Sequence, residues 1–173
     1  MAIFNTIYQA GDVSSKWWSP KMTANNAPSP YVASADSEYT STGGGGTYYA
    51  FRAFDGKFSG NSLSGGWYSS KPNAWIQFDF GAATSVAGIR MLPKMYSNWC
   101  ELFPKSFTIH WSDDGENWTM LVADDGTDYD PYSGEWREIM FEHTEKHRYF
   151  RISCLSNYGQ YQQSAIDEIE FAV

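Results

Sequence analysis

From residue 74 onward the apolar side chains of this chain recur at every second position. Ile76, Phe78 and Phe80 alternate with Gln77 and Asp79; Phe107, Ile109 and Trp111 with Thr108 and His110; Phe150, Ile152 and Cys154 with Arg151 and Ser153. Successive side chains of a strand point to opposite faces, so this period describes strands with one buried face. Turn-forming residues divide the runs: Phe80-Gly81-Ala82, Asp113-Asp114-Gly115-Glu116-Asn117, Asp124-Asp125-Gly126 and Ser133-Gly134. No window of eleven or more residues carries a helical stripe. Short strands at this spacing predict an all-β fold, a jelly-roll β-sandwich of about eight antiparallel strands. The 173 residues suit one domain spanning 1–173, with 1–28 either an N-terminal extension or the first strands.

Composition narrows the partners. The net charge of −8 opposes nucleic acid, whose phosphates need clustered Lys and Arg, and makes an anionic membrane surface unfavourable. Neutral ligands suit it better. The chain holds 8 Trp, 12 Tyr and 11 Phe, more rings than a core of this size should absorb, so several are expected at the surface for something to dock on. No stretch approaches the length of a membrane span. Met1–Ala10 lacks the basic start and apolar run of a signal peptide, which suggests an excised module or a protein exported by another route. Cys100 and Cys154 are compatible with a bridge or with two free thiols. The glycine tract at 43–46 lacks the Gly-Lys-Ser/Thr ending of a phosphate loop and reads as a surface loop.

A series of short motifs follows in order: Ala53-Phe54-Asp55-Gly56, Gly66-Trp67-Tyr68-Ser69, Trp75-Ile76-Gln77-Phe78-Asp79-Phe80-Gly81, Pro93-Lys94, and Pro104-Lys105-Ser106-Phe107. Ser112-Asp113-Asp114-Gly115-Glu116-Asn117-Trp118, Arg148-Tyr149-Phe150-Arg151-Ile152 and Ile166-Asp167-Glu168-Ile169-Glu170-Phe171 complete it. From about Ser29 to Val173 the chain resembles the discoidin, or coagulation-factor type C, superfamily, and is most similar to the family 32 carbohydrate-binding modules, with their galactose-binding-like sandwich. Gly81 should turn the chain out of the sheet, Ser112–Trp118 should form a hairpin, and Trp118 should re-enter the core.

The resemblance implies a structural Ca²⁺. Its carboxylates would be Asp55 and Glu168, with backbone carbonyls of Arg52, Lys57 and Asp167 beside them; such a carbonyl-rich loop suits an ion that takes six to eight oxygens. The loop from Asp55 to Trp67 is longer than the family pattern, which leaves Asn61, Ser62 or Gly65 as a further ligand.

The resemblance also implies a sugar site on loops at one end of the sandwich. Tyr68 stands where galactose-binding members carry a His, and Lys94 where they carry an Arg. Lys lacks the two-pronged geometry of Arg, so a galactose preference does not carry over. Tyr96, Asn98, Trp99, Asn157, Tyr158, Gln160 and Tyr161 belong to loops expected at the same end, where rings would meet the CH face of a sugar and amides its hydroxyls.

Catalytic patterns are absent. His143 and His147 lack the adjacent Glu of a zinc protease and read as a solvated loop; Asp124, Asp125, Asp128 and Asp130 read as an acidic turn or a weak second Ca²⁺ site. The expected function is non-catalytic recognition of cell-surface or polymeric glycans by part of a larger protein or assembly. It would act outside the cell, appended to a secreted glycosidase, or on a virion surface as phage-tail host recognition; residues 22–31 resemble the lead-in of tail proteins. The alternative is a discoidin-type adhesion domain binding protein or membrane lipid through an apolar spike at Met95–Phe103.

Overall fold

The computed structural model describes residues 16–42, 46–60, 65–142, 145–159 and 162–173. A five-stranded sheet runs in the order β2 (Val32–Ala35), β6 (Trp75–Ser85), β11 (Lys146–Cys154), β8 (Phe107–Ser112), β9 (Thr119–Asp124). A four-stranded sheet runs β1 (Trp17–Trp18), β13 (Glu168–Ala172), β7 (Gly88–Leu92), β10 (Arg137–Met140). Two small ladders join β3 (Thr40–Ser41) to β4 (Gly46–Thr47) and β5 (Trp67–Tyr68) to β12 (Ala165–Ile166). Every pairing among the described residues is antiparallel.

The alternation in the sequence faces inward as expected. Ile76, Phe78, Phe80, Phe107, Ile109, Phe150 and Ile152 of one sheet pack with Ile89, Met91, Ile139, Ile169 and Phe171 of the other in one buried cluster. Rings bridge the layers: Phe171 lies 5.1 Å from Phe78 and 4.9 Å from Phe80. The architecture is an all-β sandwich. Residues 17–28 belong to it, because β1 pairs with β13 and Met22 is buried in the core. Cys100 and Cys154 are separate buried thiols.

The surplus of rings has an answer other than a ligand. On the outer face of the five-stranded sheet the Arg151 guanidinium lies between Trp75 and Trp118, 4.2 and 3.7 Å from their ring centroids. On the outer face of the four-stranded sheet Arg90 lies between Trp17 and Trp136, at 4.8 and 4.2 Å. Each cation fills the space between two tryptophans and covers their faces. Trp118 therefore does not re-enter the core. Its neighbour Thr119 is paired with Trp111, which packs against the core, so the strand period places Trp118 on the opposite face.

Two further expectations are corrected. β6 does not end at Gly81; it continues to Ser85 through an irregularity in its pairing with β11. Gly81 serves that irregularity with φ 74°, and an added Cβ would come within 2.5 Å of Pro30. His147 is not on a solvated loop. It lies in β11, 4% exposed, stacked on Trp111 at 3.5 Å with Nδ1 3.0 Å from Asp113. His143 and glycines 43–45 lie outside the described residues. Among the described residues no helix is long and apolar enough to cross a membrane.

Candidate functional site

Strand register gathers the long loops at one end. Ser153 pairs with Trp75, Cys154 with Phe107 and Glu168 with Leu92, so the segments around 36–74, 93–106, 125–136 and 155–167 leave the sandwich together. β6 and β7 are joined by a two-residue turn at the other end, which puts the start of one beside the finish of the next.

Tyrosines from three segments converge there on Trp99. Tyr68 of β5 lies 5.1 Å from Trp99, 5.5 Å from Tyr48 and 5.1 Å from Tyr39; Tyr96 lies 5.4 Å from Trp99. Backbone bonds sew the loops together, Tyr39 N donating to Tyr68 O and Tyr48 N to Tyr39 O. Tyr48 and Tyr68 form the floor, 2% and 7% exposed, whereas Tyr39, Tyr96 and Trp99 are half-buried and Asn98 is exposed. Burial pushes the Tyr48 phenol up, against the pull of nearby Arg52.

Lys94 lies beneath this group rather than on its rim. It is 1% exposed, 5.8 Å from the Trp99 ring, with Nζ 2.5 Å from Ser59 Oγ and 3.6 Å from Asp167 Oδ1. Asn157 is 7% exposed and donates from Nδ2 to Gln163 O. Tyr158 is half-buried, its hydroxyl 2.9 Å from both Gly126 O and Tyr129 O. Gln160 and Tyr161 lie outside the described residues. The structure thus brings Tyr68, Tyr96, Asn98 and Trp99 together, with Lys94 under them, and gives Asn157 and Tyr158 loop-fastening bonds. Tyr39 and Tyr48 also belong to the group, although the polar, glycine-rich stretch around them gives no sign of it in the sequence.

The carboxylates expected for Ca²⁺ are adjacent. A 3-10 turn, Ala50–Phe54, delivers Asp55, whose Oδ1 accepts from Lys57 N at 2.9 Å. Gly56 N and Ser19 Oγ both donate to Glu168 Oε1 at 2.9 Å. Glu168 Oε2 is buried without a partner, and burial, with Asp55 nearby, pushes this carboxyl up to about 8. Asp55 is raised in the same direction by burial. Two carboxylates straining against ionisation around an orphaned oxygen fit a cation. No cluster of three or more His, Cys, Asp or Glu side chains set for a metal occurs among the described residues, so most ligands would be carbonyls, those of Arg52, Lys57 and Asp167 being on the same segments. The Asp167 side chain itself is taken by Ser59 and Lys94. Asn61 and Ser62 lie outside the described residues, and Gly65 packs against Ser59.

The acidic loop is internally satisfied. Arg137, 5% exposed, pairs with Asp124 and Asp128; Asp125 accepts from Thr127, and Asp130 caps the turn Pro131–Ser133. A recess of about 580 Å³ beside it, lined by Ser106, Phe107, Asp124, Asp125, Thr127 and Leu155 among others, shares no residue with the aromatic group.

Residues 32–169 match the F5/8 type C domain family model. The chain belongs to the F5/8 type C domain family. This F5/8 type C domain matches no curated protein in sequence. Among solved structures it is similar to CpGH89CBM32-5 of Clostridium perfringens, in complex with GalNAc-β-1,3-galactose, at 20% identity and TM-score 0.67, over 83% of this chain and 95% of that one. The family 32 module of C. perfringens NanJ, in complex with galactose, gives 18% and 0.64, over 82% and 92%. A mutant lectin binding domain of Lectinolysin, complexed with Lewis b, gives 20% and 0.63, over 89% and 99%. These likenesses show a shared fold.

Proposed function

We propose that this F5/8 type C domain is a non-catalytic module that holds a carbohydrate at its loop end. The observation that carries the reading is the group of half-exposed rings, Tyr39, Tyr96 and Trp99, standing over a buried tyrosine floor beside exposed Asn98. Pyranose rings present CH faces to such aromatics and hydroxyls to amides and phenols. Three solved relatives bound to saccharides support it. A shallow site of this kind binds with dissociation constants of roughly 10 µM to 1 mM, and repeated copies raise the effective affinity. A Ca²⁺ ion held by Asp55 and Glu168 would neutralise a buried acidic pair and fix the loop that supports the site. The module belongs outside the cell as one part of a larger protein; secreted-glycosidase and virion contexts call for the same site.

The lipid-binding alternative requires an apolar spike at Met95–Phe103. That segment turns Cys100, Leu102 and Phe103 inward, all 4% exposed or less, which removes the apolar tip. The deciding experiment is a glycan array with and without calcium, repeated with Trp99→Ala. Loss of the hits in the variant is expected; hits unaffected by the variant would place the ligand elsewhere, and an array without hits would sink the glycan reading.

A further inference from the structure

Four of the five arginines of this chain are fully engaged. Arg90 pairs with Glu138 and Glu170, Arg137 with Asp124 and Asp128, and Arg148 with Asp79. Arg151 donates to Gln77 Oε1 between its two tryptophans. Arg52 differs. Among the described residues it makes no ion pair, its buried Nε has no acceptor, and its guanidinium has only the Phe51 ring, 5.9 Å away.

Its surroundings explain what it faces. Arg52 sits on the 3-10 turn that directly follows Tyr48 and Tyr49, its backbone N bonded to Tyr49 O at 3.0 Å, and its charge acts on Tyr48, Lys94 and Asp55. The nearby carboxylates have other commitments. Glu38 accepts from Asn25 and from Ala50 N, Asp55 from Lys57 N, and Asp167 from Ser59. Lys94, which occupies the position of the family arginine, is buried and neutralised by Asp167. Among the described residues, Arg52 is the cation on the turn beside the rings that is partly exposed and makes no ion pair, although the Asp55 carboxylate lies within range of its charge.

We infer that the ligand is an anionic saccharide whose carboxylate or sulfate is held by Arg52 at the edge of the tyrosine–tryptophan group. This rests on the glycan reading above and specifies its chemistry. A guanidinium is a planar fork of donors that matches two oxygens of a carboxylate or sulfate, and such charge-assisted bonds are roughly twice as strong as neutral ones. The net charge of −8 does not prevent this. Charges farther than about 8 Å are largely screened at physiological salt, so the local guanidinium dominates for a short ligand. A long polyanion lying across the acidic surface gains less.

The test measures binding to matched neutral, uronate and sulfated forms of the same oligosaccharides, in calcium, with the parent, Arg52→Gln and Arg52→Lys. The parent should bind an anionic form about tenfold tighter than its neutral counterpart. That preference should weaken with added salt, vanish in Arg52→Gln and persist in part in Arg52→Lys. Whether the uronate or the sulfate is preferred identifies the group. Equal affinity for neutral and anionic forms, or a preference that survives Arg52→Gln, overturns the inference and leaves the glycan reading intact. A parent that binds none of them overturns both. Should Arg52→Gln fail to fold, the salt response of the parent and the Arg52→Lys result decide.

Discussion

The Lys94 ammonium stands 3.6 Å from the Asp167 carboxylate, both side chains 1% exposed, with the Ser59 hydroxyl bonded to each. Lys94 lies two residues beyond the end of β7, Asp167 precedes β13, and Ser59 belongs to the loop after Asp55. One buried cation thus ties the floor of the candidate ligand site to the segment that carries the expected metal carboxylates. Burial draws the Lys94 proton affinity down and Asp167 restores part of it.

Removing one partner of such a pair leaves the other buried and uncompensated. Lys94→Ala should therefore destabilise the domain by about 3 kcal/mol or more. Lys94→Met combined with Asp167→Asn should cost less than the two single changes added together. Denaturant unfolding of the parent, Lys94→Ala, the two single changes of the pair and their combination measures this; additive losses would show that the pair is not coupled.

Glu168 makes a pH prediction with a definite sign. Its carboxyl is pushed up to about 8 in the folded protein, against an ordinary value of 4.5. Without metal the folded state holds its proton more tightly than the unfolded chain. The associated stability is complete below the ordinary value and is lost as pH rises through about 8. In chelator the melting temperature should fall between about pH 5 and about pH 8.5, and Glu168→Gln should flatten that fall. Calcium competes with the same proton, so its stabilisation should grow over this window, reaching about 2.7 kcal/mol at a hundredfold excess over its dissociation constant. Identical melts with chelator and with calcium at high pH would remove the ion from the account.

Trp118 and Trp67 separate outer clamp from core. Trp118 covers one face of Arg151 on the sheet exterior, whereas Trp67 is 0% exposed and donates from Nε1 to Ser37 O. Trp118→Ala should keep the fold and lose about 1–2 kcal/mol, the scale of a partly desolvated cation–π contact. Trp67→Ala should lose about 3–5 kcal/mol or fail to fold. Thermal melts and one-dimensional amide spectra distinguish these outcomes; an unfolded Trp118→Ala would contradict the placement.

Local pattern made the inward faces legible, because Ile76, Phe78 and Phe80 need only the two-residue period to declare themselves. The motif order made the family and the loop end legible in the same way. Trp118 failed that reading because its face depends on which residue of β9 pairs with Trp111, a property of two strands. Lys94 failed for a longer-range reason. A Lys after Pro93 looks like a surface cation until Asp167 and Ser59 are brought to it by the fold. Arg90 and Arg151 likewise find their two tryptophans each only through sheet register, so aromatic surplus alone does not measure ligand surface.

Tyr158 provides the sharpest separation of fastening from recognition. Its hydroxyl reaches the carbonyls of Gly126 and Tyr129, closing the loop that Arg137 holds through Asp124 and Asp128. Gly126 sits there with φ 71°, so close to the Lys105 backbone that no side chain would fit. Tyr158→Phe deletes the donor and keeps the ring, at a cost of about 1 kcal/mol, and should speed amide exchange in residues 125–130. Glycan affinity should stay within about twofold, under 0.5 kcal/mol. Trp99→Ala should do the reverse, weakening glycan binding about tenfold, some 1.4 kcal/mol, while exchange in residues 125–130 is unchanged. Titration of both variants against one array hit gives the comparison. A Tyr158→Phe protein that loses the glycan while its loop stays protected would move the ligand from the tyrosine–tryptophan group to the Tyr158 loop.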